Sequence, residues 1–598
     1  MTMTSNSPNS AGIDPVRAGA ESLPAALAHW AETRGDARAL TFVDYAGDPA
    51  GVATSLTWRE LDAKVTALAA WCQRRAHRGD LAAILVEQSA EYVIAFLGAL
   101  RAGLVAVPVF EPSPLPGHLS RLAAVLADCD PALVLTTRRQ ADAVDEFLVE
   151  HDLAGSRLVA VDMLPETIGA EFDPVPPRPD ELAYLQYTSG STRNPAGVMI
   201  THGNVAAAAT QTVRAYEGTP GGTVVSWLPL FHDMGLVVGL AAPLMGGLSS
   251  TLMDPIAFLT RPVRWLELMA GSGAAITVAP NFAYGYTAAR TTDEDMAGLS
   301  LDAVALFGDG SEPIVPSIVD SFYAKFAECG AKPSMFRQGY GLAEAVLLVS
   351  SSPAGEPPKL RTFDRVGLAA GRAIEVAPDA VSSSTLVSAG QPLDQQVRVV
   401  DPQTHVVLPD GHVGEIWTSG PNVCLGYWGK GDAESAAVFR AEPRDEDDRP
   451  LEPYPGTRGW LRTGDLGVCL DGDLFVTGRL KDLIIVDGRN HYPQDVEYTV
   501  QNAHPAIRRH AAAAFSVAGD QGEHAVVVAE RARQVTAEEL DPAEVAAAVS
   551  SAVSSEHGLA VRDVVLIGPG ELPRTSSGKV RRAACRTRYT EGTFGLDG

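Results

Sequence analysis

Residues 234–253 carry no charged side chain. A run of that length can cross a bilayer, so it needs either a membrane or a protein interior large enough to bury it. Its composition separates the two. Gly235, Gly239, Pro243, Gly246, Gly247, Ser249 and Ser250 interrupt the apolar residues. A buried helix, a turn and a buried strand account for that mixture better than one spanning helix, and no transmembrane segment is expected. The chain is long enough for such an interior: 598 residues exceed what one domain core needs, so several subdomains are expected.

The surrounding sequence repeats one local grammar. Thr57 can cap a helix, with Glu60 three positions on, and Leu61, Val65, Leu68 and Cys72 follow at helical spacing. A second helix is predicted from Glu91 through Ile94, Leu97 and Leu100, stopping at Gly103. A short apolar strand follows at 105–109, and similar strands recur at 132–135 and 183–187. Helix, tight turn, buried strand is the unit of a layered α/β sheet. The proline-rich residues 174–179 read as a surface connection, and the charged residues 441–453 as a solvated loop. At Gly478 the texture changes. Gly478-Arg479-Leu480-Lys481-Asp482 precedes an apolar strand, and about a hundred residues of mixed strands and helices follow, enough for one small domain.

Charge excludes one class of partner. With 47 basic and 73 acidic side chains the formal charge is -26, a surface that repels phosphate backbones, so no nucleic acid partner is expected. Six dispersed cysteines show no metal spacing and read as reduced thiols of a cytoplasmic protein. Residues 1–20 contain no apolar signal core.

Six short constellations carry the chemistry. Tyr187-Thr188-Ser189-Gly190-Ser191-Thr192-Arg193-Asn194-Pro195-Ala196-Gly197 follows an apolar strand, and its hydroxyls and glycine amides can wrap polyphosphate oxygens. A polar surface turn has the same composition, and no Gly-Lys-Ser/Thr follows to make a Walker loop. Leu230-Phe231-His232-Asp233-Met234-Gly235 places a histidine at a strand end, where the residue is more often structural than catalytic. In Gln338-Gly339-Tyr340-Gly341-Leu342-Ala343-Glu344 an aromatic face can stack on a purine and a carboxylate can hold Mg²⁺; alone it is also a turn before a helix. The others are Trp460-Leu461-Arg462-Thr463-Gly464-Asp465-Leu466-Gly467, the segment around Arg479, and Pro573-Arg574-Thr575-Ser576-Ser577-Gly578-Lys579-Val580. A lysine in such a Ser/Gly loop is usually a solvated one.

In this order and spacing the six together resemble the adenylate-forming superfamily of acyl-CoA synthetases, peptide-synthetase adenylation domains and luciferases, from about Leu23 to the end of the sequence. Within it the chain looks most like the fatty acyl-AMP ligases. Arg193 and Ala196 stand where most relatives have Gly and Lys, and Ala343 where most have Thr. The motifs His232-Asp233-Met234-Gly235 and Ala279-Pro280-Asn281-Phe282-Ala283-Tyr284 are ligase-like as well. Residues 361–390 resemble an extra segment that the family associates with loss of coenzyme A activity. Asp309 departs from the pattern, where Asn is more usual.

The resemblance implies an α/β fold with a large layered N-terminal domain (residues 23–478), a hinge (479–485) and a small mobile α+β domain (486–598), after a flexible N-terminus (1–22). It implies a fatty acid substrate with ATP and Mg²⁺ as cofactors. Thr188, Ser189, Gly190, Ser191 and Thr192 would hold the phosphates, and Glu344 and Thr188 the metal. Tyr340, flanked by Gly310, Ser311 and Gly341, would hold adenine. Asp465 would bind the ribose, and Arg479 the ribose or its phosphate. Catalysis would fall to Lys579, with Glu344. His232, Met234, Gly235 and Phe282 would line the carboxylate end of the acid, with segments 234–240 and 277–286 as candidate walls of an acyl tunnel. Lys481 matches the family's hinge position. The acceptor would be the phosphopantetheine thiol of an acyl-carrier protein acting in trans. Arg508, Arg509, Arg581, Arg582, Arg586 and Arg588 are candidates for docking that acidic partner, or else scattered solubilising charge. Two other readings stay open: an acyl-CoA synthetase of the same fold, and a catalytically silent acyl- or nucleotide-binding relative.

Overall fold

The computed structural model describes residues 21–113, 118–153, 155–187, 195–380, 382–486, 489–519, 522–536, 540–575 and 578–594. Of the expected flexible N-terminus, residues 1–20 lie outside that description. The first element is the helix Leu23–Thr33, where the Ser22 hydroxyl accepts the Ala25 N–H at 3.3 Å.

Two sheets of the large domain carry most of the parallel pairing. In one, Arg157–Ala160, Leu133–Thr136, Leu81–Ile84, Val105–Pro108 and Leu182–Tyr187 lie side by side in parallel, with Gly197–Thr201 antiparallel at the edge. The other has nine strands. Its parallel centre runs Phe336–Gly341, Val304–Asp309, Ala275–Ala279, Thr223–Ser226, Ser249–Met253 and Arg38–Asp44, with antiparallel strands at both edges. Leu133–Thr136 and Ala275–Ala279 are buried at every position, as expected of parallel strands covered on both faces.

The local signals act as read. Thr57 and Glu60 form a reciprocal capping box that starts the helix Trp58–Gln73. The helix Ala90–Arg101 ends before Gly103, whose φ of +82° turns the chain into the strand Val105–Pro108. The uncharged run 234–253 becomes a helical stretch through Gly246, a left-handed turn at Gly247 and the strand Ser249–Met253, almost wholly buried. Among the described residues no helix is long and apolar enough to cross a membrane.

A four-stranded antiparallel sheet, Gln396–Val400, Gly414–Ser419, Leu461–Leu470 and Asp473–Arg479, closes the large body. A single turn, Leu480–Asp482, holds Lys481 and leads into the hairpin Ile484–Val486 and Arg489–His491. Beyond it lies a smaller α+β unit. Its sheet is Ile507–Gly519, Gly522–Arg531 and Val561–Ile567, packed with the helices Pro493–Ala503, Pro542–His557 and Arg582–Thr590.

Residues 361–390 contribute the short sheet Leu360–Asp364 with Ser383–Val387. This segment touches the small unit. Arg365 pairs with Glu556 at 3.8 Å, Ser384 Oγ donates to Asp495 at 3.4 Å, and Asn490 Nδ2 donates to the Ala369 carbonyl at 3.4 Å. One expectation fails in the small unit. Arg582 is no surface docking residue: Nε and Nη2 bind Glu497 at 2.6 and 2.7 Å, and Nη1 binds Asp482 at 3.2 Å. It ties the turn after Arg479 to two helices.

Candidate active site

The C-terminal ends of parallel strands are where doubly wound sheets place ligands, because each strand there hands over to a loop. The strand Leu182–Tyr187 runs into Thr188, Ser189, Gly190, Ser191 and Thr192, which lie outside the described residues. The neighbouring sheet delivers the others. Thr223–Ser226 leads to His232, Ala275–Ala279 to Phe282, Val304–Asp309 to Gly310 and Ser311, and Phe336–Gly341 to Tyr340 and Glu344.

Two close approaches shape these loops. A Cβ on Gly341 would stand 1.6 Å from the Leu347 carbonyl oxygen, and one on Gly235 would stand 2.0 Å from that of Pro229. Neither position accepts a side chain without moving backbone. The loop holding Glu344 then passes through Val346 at φ +60°, ψ −49°, with the Leu347 N–H on the Ala345 carbonyl at 2.7 Å. This is the rare positive-φ γ-turn, costly for a β-branched residue and typical of places where a side chain must be aimed. Ser311 is a second strained position, at φ +74°.

Four charged groups, Asp233, Arg479, Glu312 and Asp465, lie within electrostatic reach of the Lys579 ammonium. Asp465, 5% exposed, accepts the Tyr340 hydroxyl at 2.9 Å and pairs with Arg479 Nε at 3.0 Å. Burial pushes its carboxyl up, and the Arg479 guanidinium opposes the shift. The Arg479 side chain is 53% exposed, at the edge of the group. Glu344 accepts the Tyr427 hydroxyl at 2.8 Å, and burial raises its carboxyl too. Asp233 lies 2.6 Å from His232 Nδ1. Burial alone would raise it, but His232, Lys579 and the Met234 N–H together hold it below the usual carboxylate value. Glu312 accepts the Phe282 N–H at 2.8 Å, and burial raises it. Lys579 enters from the small unit. Burial pushes its ammonium below the ordinary lysine value, Asp233, Glu312 and Asp465 pull it back up, and Arg479 pushes the same way as burial.

The structure therefore brings Lys579, Asp465, Arg479, Tyr340 and His232 into one electrostatic neighbourhood, with Glu344 coupled to it through Arg479 and Asp465. Phe282 packs edge-on to Trp227 at 6.3 Å, and Met234 belongs to the same apolar cluster. The tunnel segments 234–240 and 277–286 are packed within this core and its neighbour. Asp309, 1% exposed, does not face the cluster's cations; its Oδ2 accepts Asn281 Nδ2 at 2.7 Å inside the core.

Sequence reasoning passed over Asp233, Glu312 and Tyr427. The first two sit inside motifs already singled out, next to His232 and beside Ser311. Tyr427 is 83 positions from Glu344 and has no local signal.

These residues fit a magnesium nucleotide. Mg²⁺ is usually held by one or two carboxylates and the substrate's phosphates. Glu344 offers a carboxylate with Oε1 already oriented by Tyr427. No cluster of three acidic, histidine or cysteine ligands exists among the described residues, so these residues by themselves form no closed metal cage. Asp465 presents a buried, fixed acceptor, the feature a ribose diol needs.

Known proteins are similar in sequence and in fold. Residues 27–428 match the AMP-binding enzyme family, and residues 481–597 match the AMP domain of Disco-interacting protein 2-like proteins. The long-chain-fatty-acid–AMP ligase FadD32 of Mycolicibacterium smegmatis is 43% identical, across 96% of this chain and 95% of its own. FadD26 of Mycobacterium bovis, of the same description, is 44% identical across 96% and 98%. A solved structure from work on the fatty acyl-adenylate ligases of E. coli and L. pneumophila superposes with a TM-score of 0.82 at 33% identity, covering 96% of this chain and 98% of its own. The L. pneumophila fatty acyl-adenylate ligase in complex with acyl adenylate and pyrophosphate gives 0.73 at 30% identity, covering 97% and 98%.

Proposed function

The chain belongs to the AMP-binding enzyme family, and from that premise we propose that it is a fatty acid–AMP ligase: it joins a fatty acid to ATP, releases pyrophosphate, and passes the acyl group to the phosphopantetheine thiol of a carrier protein. The observation that carries this reading is the convergence of a small-unit lysine, Lys579, on the large domain's Asp233, Glu312 and Asp465.

The reaction brings a carboxylate against a polyphosphate, so its barrier is largely repulsion between anions and the need for in-line placement. Lys579 supplies the mobile positive charge. The charges of Asp233 and Glu312 favour that ammonium before substrates arrive, and bound anions then take over as its partners. Asp465, steadied by Tyr340 and Arg479, accepts the ribose hydroxyls. Tyr340, with Gly310, Ser311 and Gly341, borders the adenine. The loop from Thr188 to Thr192 wraps the phosphates. Glu344 holds Mg²⁺, with Thr188 as its partner, and the ion when bound neutralises phosphate charge. His232, fixed by Asp233, borders the acid's carboxylate together with Met234, Gly235 and Phe282. Lys481, in the turn Leu480–Asp482, is the hinge about which the small domain turns for acyl transfer.

Carrier rather than coenzyme A is favoured by the segment 361–390, whose Arg365 and Ser384 hold the small unit in its present orientation. The setting is cytoplasmic, in keeping with six buried free cysteines. The test is direct. With ATP, Mg²⁺ and a ladder of fatty acids, fatty-acid-dependent ATP–pyrophosphate exchange is expected, followed by acyl-carrier but no acyl-CoA when the two thiols are offered separately. Absence of exchange with every acid, or acyl-CoA with an unloaded carrier, overturns the reading.

A further inference from the structure

A cavity of about 470 Å³ lies where the small unit faces the last turn of the helix Asn281–Arg290. Arg508, Arg509 and Arg533 line it from the small unit and Arg290 from the large domain, over Pro505 and Ile507. Among the described residues no carboxylate lines it, although acidic residues outnumber basic ones 73 to 47 in the chain. The backbone brings the arginines together: Ile507 pairs with Arg531 across two strands, and the Ala532 N–H donates to the Ala506 carbonyl at 2.8 Å. Arg508 is committed to the buried Glu530, and the Arg290 guanidinium stacks on the Tyr286 ring at 4.7 Å. Among the described residues Arg509 and Arg533 have no carboxylate partner, and both are exposed.

We propose that this cavity binds a phosphate group, and that the bound anion ties the small unit to the helix Asn281–Arg290. Glu530 already answers the Arg508 charge, but the guanidiniums of Arg290, Arg509 and Arg533 repel one another unless an anion sits among them. Their planar forks match phosphate oxygens two at a time. The volume falls within the range of roughly 300–1,000 Å³ that holds small ligands. Because the lining comes from both bodies, the full set of donors exists only in this orientation, and occupancy favours it by mass action. The phosphate has two sources, free pyrophosphate or the phosphopantetheine arm of a carrier. The site itself stands on its geometry; only the carrier arm of the test rests on the ligase reading.

The probe is radiolabelled pyrophosphate in equilibrium dialysis, comparing the parent with Arg509→Gln/Arg533→Gln. ATP–pyrophosphate exchange is expected to be equal in the two, since neither residue belongs to the catalytic group. The parent is expected to bind one more pyrophosphate per chain than the double variant, and Arg290→Gln to weaken that extra site about tenfold, the worth of one charge-assisted phosphate contact. Equal stoichiometry in parent and double variant overturns the site. Holo-carrier then separates the sources. A raised carrier KM in the double variant, with pyrophosphate competing, assigns the site to the phosphopantetheine phosphate. An unchanged carrier KM, with the pyrophosphate loss intact, assigns it to the free anion. Failure of exchange in the parent itself counts against the ligase reading and leaves the dialysis result standing.

Discussion

Replacing Lys579 with Gln keeps most of the side chain's length and removes its charge. Two unit charges about 4 Å apart at an effective dielectric constant near 20 interact by about 4 kcal/mol. Part of that attraction already exists with bound substrates and does not speed the reaction. The share specific to the transition state is about 3 kcal/mol, or roughly a hundredfold in rate. The fold should not suffer. Burial holds the Lys579 ammonium below its ordinary value, so the folded chain disfavours the charged form and neutralising it relieves a penalty. Loss of an attractive partner for Asp233 works against that gain, and the melting temperature is expected to stay within about 2 °C. The assay is fatty-acid-dependent ATP–pyrophosphate exchange, run beside acyl transfer from synthetic acyl-AMP to holo-carrier. Exchange should fall about a hundredfold while transfer stays within about threefold. Exchange at the parental rate, or equal losses in both half-reactions, would refute the placement of this lysine.

Three further outcomes are expected. The alkaline limb of kcat/KM for adenylation should lie at lower pH than that of kcat: the free enzyme holds Lys579 below its ordinary value, and bound anions raise it, so activity is lost sooner in the free enzyme as pH climbs. Coincident limbs would show that another group titrates. Arg582→Met should cost about 3 kcal/mol in urea unfolding, because it strands the half-buried Glu497 and Asp482; an unchanged midpoint would return Arg582 to the surface. Asp309→Asn should stabilise the chain at neutral pH and not in acid. Burial raises the Asp309 carboxyl well above its ordinary value of 3.8, so the folded chain retains a proton that the unfolded chain has lost, and stability falls as pH rises through that window; Asn removes the dependence. Parallel stability–pH curves for the two proteins would contradict this.

Much of the site was legible because its residues sit in short motifs at strand ends. Tyr340 and Glu344 are four positions apart, and Gly310 and Ser311 are adjacent. Arg582 misled for a related reason. A pair of arginines near the end of a chain looks like a basic patch when its partners, Glu497 and Asp482, are 85 and 100 positions away.

Local chemistry determined the elements: the reciprocal cap at Thr57 and Glu60, the turn at Gly103, and the apolar strands that must stack because they have no polar face. The order of motifs determined the family. What only the packed chain decided is which charges oppose one another. Lys579 faces Asp233, 346 positions earlier, and Arg290 shares a cavity with Arg533. The physical reason is range. Capping and strand formation are settled within a few residues by backbone hydrogen bonds, whereas an ion pair or a shifted pKa depends on distance and burial in space.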